Sequence, residues 1–163
     1  MTGDWLDVVL LQREFAWRGE DWFVPLEKAL DGLGARDAAW LPPGGGNTIR
    51  QTLAHVTFFA ERLLCRLEGR PAPTEDTNLA TFGPPGDPND EAGWAELLER
   101  TRHVAEAIPG ALRAYPGDPD QPLGGASRPL RDEVALWVAH DVYHTGQIVT
   151  LRKQQGSWPK QRE

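Results

Sequence analysis

A chain of 163 residues is long enough for one ordinary domain with a real core, expected to span 1–163, and too short for two in comfort. Its 40% hydrophobic and 25% charged residues give the balance of a soluble globular protein, and no apolar run approaches the roughly 20 residues that cross a bilayer. The net charge of -7, with no basic stripe interleaved with aromatics, excludes nucleic acid, whose phosphates demand clustered lysine and arginine, and leaves small-molecule chemistry as the expectation.

The start, MTGDWLDVVL, has no basic segment ahead of its short apolar run and does not read as a secretory signal. Helical spacing of apolar residues predicts a first helix from Trp5 to about Trp17, broken near Gly19 and resumed from Asp21 to about Leu33. Pro25 is expected in the first turn of that second half, where its missing N–H costs nothing. After LPPGGGN at 41–47, Thr48 and Gln51 form a T-x-x-Q capping box, a sharp helix start. Ile49, Leu53, Val56, Ala60, Leu63 and Leu67 then make one apolar stripe, which Gly69 ends. Cys65, on this second helix, is the chain's one cysteine. It excludes an internal disulfide, fits a reducing cytoplasm and reads as a small buried hydrophobe.

A Pro- and Gly-rich stretch at 69–89 leads to a third helix from about Asp90 to Ile108, with Trp94, Leu97, Leu98, Val104 and Ile108 on its buried side. A second such stretch, 109–127, precedes a fourth helix from near Pro129 to about Gln155, with Gly156 beyond it. Nothing alternates like a strand, so the expected fold is all-α, a four-helix bundle with long crossover loops. Two loops of about twenty residues exceed what a bundle needs, and long loops carry or cover function.

Two of the four histidines stand four residues apart in AHDVYHTGQI, residues 139–148. On a helix, His140 and His144 lie ~40° apart with Cβ atoms roughly 6 Å from each other, so both imidazoles can reach one ion. Trp137, Ile148 and Leu151 share their face, which points into the core. Spacing alone leaves two readings open. They are core histidines, each with two ring nitrogens to satisfy away from water, or they are two ligands of a metal. The zinc-protease motif H-E-x-x-H is absent, since Asp141 rather than glutamate follows His140. No histidine stands among the 19 residues after His144, so a third would come from upstream. His103 lies nearly opposite the apolar stripe of its helix and is expected to face solvent. His55 lies at the edge of its helix's apolar arc, beside Phe59, and is the candidate.

HDVYHTGQI resembles the signature of the DinB-like superfamily of bacterial four-helix proteins, in which H-x-x-x-H-x-G-Q-I closes the last helix. WLPPGGGNTIRQTLAHV, residues 40–56, is similar to that family's second signature: a Pro-rich turn, a capped S/T-I start and a histidine seven residues after the cap. FVPLEKALDGL, 23–33, resembles the usual end of its first helix. Thr48 stands where serine is common and Asn47 where an aromatic is frequent, while the three histidine positions are intact. The resemblance implies a DinB/YfiT-like bundle with a long crossover, commonly a homodimer, holding a metal on His55, His140 and His144. Relatives in that family include transferases that use low-molecular-weight thiols such as bacillithiol, and mycothiol-dependent isomerases; many have no assigned activity.

Three neutral imidazoles fix a divalent ion, zinc or nickel, and leave a coordination position open. A thiol entering it becomes a nucleophile for S-transfer, whereas water there favours hydrolysis. The expectation is a metal-dependent thiol S-transferase with a small-molecule thiol and an electrophile as partners. The alternatives are a non-catalytic metal-binding stress-response protein and a metal-dependent hydrolase. No catalytic side chain is identified. Gln147 is expected behind an imidazole or against substrate, or else simply solvating the helix face. Asp141 either orients an imidazole or is taken by a neighbouring helix, Tyr143 is expected to pack, and Gly146 to admit another helix closely. Arg50, Arg128 and Arg131, at helix starts, hold an anionic cofactor or are only solvated. Cys65 is roughly 15 Å along the helix from His55 and cannot share the ion. A second apolar stripe on the fourth helix, Ala135, Val138, Val142 and Val149, makes that helix central in the bundle or part of a homodimer interface.

Overall fold

The computed structural model describes residues 3–159; the ends of the expected unit, 1–2 and 160–163, lie outside them. Among the described residues apolar periodicity is realised as helix and no strand forms. Four long helices, α1 (Gly3–Trp17), α4 (Ile49–Leu67), α5 (Glu91–Ala114) and α6 (Leu130–Gln155), carry the architecture. Two short ones, α2 (Leu26–Leu30) and α3 (Ala35–Ala38), lie in the first connection, and a 3-10 turn, Ala80–Phe82, in the second. α1 packs on α5 and α6, and α4 packs on the same two, which closes a ring with α1 and α4 on one diagonal. The connection between them therefore crosses the bundle, and the protein is the all-α bundle that the periodicity predicts.

Two apolar clusters form the core. One joins Val9 and Ala16 of α1 to Leu63, Ile108, Val134 and Val138. The other joins α2 and α3 to Leu53, Val56, Trp94 and Ile148. α4 gives Val56 to one and Ala60 to the other, and α6 gives Ile148 to one and Val138 to the other. His55 on α4, and His140 and His144 on α6, thus occupy the level where the clusters meet, held on elements packed above and below.

Three segments depart from the sequence expectation. The helix predicted over 21–33 is confined to Leu26–Leu30, and Pro25 is its extended N-cap rather than a first-turn residue. Gly32, at φ 71°, ends it in the left-handed region that only glycine enters freely, and Ala35–Ala38 form a separate turn. The spacing of Leu26, Ala29, Leu30 and Leu33 is helical because all four face one core, not because one helix carries them. The third helix runs past its predicted end at Ile108 to Ala114, through Pro109. Burial of Ile108 and Leu112 outweighs the lost hydrogen bond and low propensity of the Pro-Gly pair. Finally, α6 packs on α1, α2 and α4. Its second stripe is used within the chain: Val138 is buried, Val142 and Val149 pack half-buried on the clusters, and Ala135 stays exposed. A Cβ on Gly146 would meet nothing within 4 Å, so the close helix approach expected there is absent.

The start of α4 is built as the capping box requires. Thr48 Oγ1 accepts from the Gln51 backbone N–H at 3.1 Å, and Gln51 Oε1 accepts from the Thr48 N–H at 3.0 Å. The same two side chains hold the second connection, Thr48 donating to the Pro85 carbonyl at 2.8 Å and Gln51 Nε2 to that of Gly83 at 3.0 Å. Thr48→Ala is expected to cost about 1–2 kcal/mol, lowering the thermal midpoint by about 5 °C. An unchanged midpoint in a calorimetric scan would show that the box does not hold this helix start.

Candidate metal centre

His55, His140 and His144 each offer a ring nitrogen, and these atoms all lie within 4.8 Å of one another. The Nε2 atoms of His55 and His140 are 2.9 Å apart. Ring nitrogens bind zinc at about 2.0–2.1 Å, so one ion spans this separation. His103 is exposed on α5, as its helical arc predicts.

The hydrogen bonds around the rings determine which nitrogens carry protons. Thr81 Oγ1 donates its one proton to the Asn78 carbonyl at 2.5 Å, so at 2.6 Å it can only accept from His55 Nδ1. His55 Nε2 is then a bare lone pair. Gln147 Nε2 donates to the Tyr143 hydroxyl at 3.1 Å, which turns Gln147 Oε1, an acceptor, toward His144 Nδ1 at 2.7 Å. His144 Nδ1 therefore bears the proton and its Nε2 is likewise bare. Burial, followed by the charges of His144 and His140, lowers the His55 pKa to about 3. Burial also lowers that of His144, against the Gln147 contact. At neutral pH both rings are uncharged, the state a metal ligand needs.

His140 provides the test of fit. Without an ion, a neutral His140 has to carry its proton on Nε2, between it and His55 Nε2, and its Nδ1 is then a bare acceptor. That Nδ1 is buried without a hydrogen-bond partner and faces Asp141 Oδ1, also buried and unpartnered, at 3.7 Å. Acceptor would face acceptor. An ion held by the three rings would take the His140 Nε2 lone pair, and the ring's proton would then sit on Nδ1, on the side of the Asp141 carboxylate 3.7 Å away. The donor set fits a divalent ion.

Several contributors come from outside the histidine motif. Phe82 stacks on His55 with ring centroids 3.9 Å apart, and Phe59 stands edge-on to His55 at 4.9 Å and His140 at 5.3 Å. Thr81 and Phe82 ride on the 3-10 turn, inside a stretch whose Gly and Pro content reads only as a break. Asp141 points into the bundle, where Arg13 of α1 lies buried between the Trp17 and Trp137 rings, 5.4 and 4.8 Å from their centroids. Burial lowers the Arg13 pKa, and the Asp141 carboxylate is the largest influence opposing it. Nothing in the sequence marked Arg13, one basic residue on an amphipathic helix.

The histidines open into a cleft of about 1230 Å³, ample for a small organic ligand, whose pockets run ~300–1,000 Å³. Tyr143, expected to pack, is exposed at this cleft and steadies Gln147. Cys65 is half-buried rather than a core residue and does not line the cleft. Of the helix-start arginines, Arg128 lines it. Arg50 instead donates to the Pro84 carbonyl, and Arg131 pairs with Asp120 at 2.7 Å.

A family model described as the DinB superfamily matches residues 25–148, about three quarters of the chain, a span that includes all three histidines. No curated protein and no solved structure matches it significantly.

Proposed function

The chain belongs to the DinB superfamily, and from that premise we propose that it binds zinc or nickel on His55, His140 and His144 and activates a low-molecular-weight thiol for transfer to an electrophile. The observation that carries this reading is the proton arrangement: two Nε2 lone pairs that a bound ion would take, and a His140 Nδ1 that would then carry the ring's proton on the side of the Asp141 carboxylate. When bound, the ion supplies an open Lewis-acid position that lowers a thiol's pKa into the neutral range.

The chain's own residues do the rest. Thr81 and Gln147 hold protons at the Nδ1 atoms of His55 and His144, fixing both rings with Nε2 inward. Phe59 and Phe82 flank the His55 ring and keep water from it. A thiol rather than water is taken as the activated group, in line with the thiol-using members of the family. Among the described residues, Asp141 alone brings a carboxylate within 4.0 Å of an imidazole nitrogen, and it lies behind His140, buried in the bundle. The nucleophile comes with the ligand, since Cys65 stands outside the cleft. The same reading carries a homodimer in a reducing cytoplasm, with exposed Val8 and Leu11 of α1 offering apolar surface for the pairing.

Elemental analysis of protein purified without an affinity tag, followed by a thiol panel with a chromogenic electrophile, tests the proposal. About one zinc or nickel per chain is expected, with turnover that a chelator abolishes and the metal restores. Metal without turnover for any thiol would leave a non-catalytic metal-binding protein. Absence of metal would remove both.

A further inference from the structure

The cleft continues past the histidines. Along the α4 face that carries His55, successive turns present Phe59, Arg62 and Arg66, and Arg128 enters from the loop before α6. At 1.5 Å per residue, Arg62 stands about 10 Å along the helix from His55. Four of the chain's 17 basic residues line the cleft, against two of its 24 acidic ones, in a molecule of net charge -7. A cleft of opposite sign to its protein gathers anions.

Two of the four arginines are already engaged. Arg66 pairs with Glu133 at 3.4 Å and donates to the Leu123 carbonyl, and Arg70 pairs with Glu68. The other two are held more loosely. Arg62 makes one long hydrogen bond, 3.4 Å to the Pro73 carbonyl, and has no carboxylate within 4.0 Å among the described residues. Arg128 stands 3.8 Å from Glu133, which Arg66 already holds, and its side chain is half exposed. Phe58, Phe59 and Leu136 give the same cleft apolar wall.

We infer that the molecule whose reacting end reaches the three histidines is elongated and anionic, with a carboxylate or phosphate held by Arg62 and Arg128 and an apolar stem along Phe58, Phe59 and Leu136. The guanidinium fork matches both anions in a bidentate fashion. The inference rests on the thiol reading only for the identity of the reacting end.

The test titrates the cobalt(II)-loaded chain with two matched pairs: glutathione against its diethyl ester, and 4'-phosphopantetheine against pantetheine. Affinity is read by calorimetry, and sulfur ligation separately by the thiolate-to-cobalt absorption band, in wild type, Arg62→Gln and Arg128→Gln. At least one anionic thiol is expected to bind about tenfold more tightly than its esterified or unphosphorylated partner. That preference should fall below about threefold in both variants, with the partner's own affinity unchanged. A preference within the glutathione pair identifies a carboxylate, and one within the pantetheine pair a phosphate. Equal affinities within both pairs, a preference that survives both substitutions, or no binding of any of the four overturns the inference. An arginine-dependent preference with no absorption band would leave the anionic arm standing and remove the thiol reading instead.

Discussion

Replacing His144 with alanine is expected to weaken zinc or nickel binding by roughly a hundredfold or more and to leave the purified chain nearly free of metal. The variant keeps the Nε2 atoms of His55 and His140 but loses the third inward nitrogen, and Gln147 loses the ring that it orients. Competition against a chromophoric chelator measures the change, beside metal content. Unchanged affinity would take His144 out of the site, and equally little metal in both proteins would take the metal out of the proposal. The metal-free variant carries a second signature. After burial, His144 is the largest influence lowering the His55 pKa to about 3, so the His55 pKa should rise in the variant, visible in an NMR titration of the imidazoles. The consequence for stability has a definite sign. Below the unfolded value of 6.5, the unfolded wild-type chain takes up a proton at His55 that the folded chain refuses until about pH 3. Metal-free wild type therefore loses stability as pH falls through that window, and the variant should lose less.

The parts of this site that were readable from sequence are those that a helix fixes by its period. His140 and His144 share a face because they are four apart, and His55 falls beside Phe59 because the Thr48–Gln51 box sets where α4 begins. Thr81 and Phe82 obey no period. They reach His55 because the Thr48 and Gln51 side chains fasten the backbone at Gly83 and Pro85, a long-range contact with no local sign. Tyr143 and Gln147 were visible as positions, but their joint action depends on which way an amide turns. The departures of the fold from simple periodicity share this origin. Propensity stopped the third helix at Pro109, where burial of Ile108 and Leu112 carried it on, and periodicity continued a helix through 21–33 where Pro25 and Gly32 confine it.

Arg13→Leu is expected to destabilise the metal-free protein by about 3 kcal/mol, the largest stability loss anticipated for a residue outside the histidine site. Arg13 is 3% exposed and Asp141 1%, and each has polar atoms without a hydrogen-bond partner. They are mutual compensation at a distance, the Asp141 carboxylate opposing the effect of burial on the guanidinium. Leucine in place of the arginine leaves Asp141 charged, buried and without a cation on α1. The double variant Arg13→Leu, Asp141→Leu removes the orphan and should recover most of the stability, because replacing both partners of a buried pair by apolar groups is often neutral. Metal affinity should not follow. Asp141 faces His140 Nδ1, and a ligand that loses the carboxylate behind it binds metal about tenfold or more weakly, so the double variant regains its fold without regaining the ion. Urea melts of the wild type, both single variants and the double, each paired with a chelator competition, separate the two quantities. A double variant as unstable as Arg13→Leu would assign the cost to lost packing between the Trp17 and Trp137 rings rather than to an orphaned charge. One that binds metal like wild type would show that Asp141 serves the bundle alone.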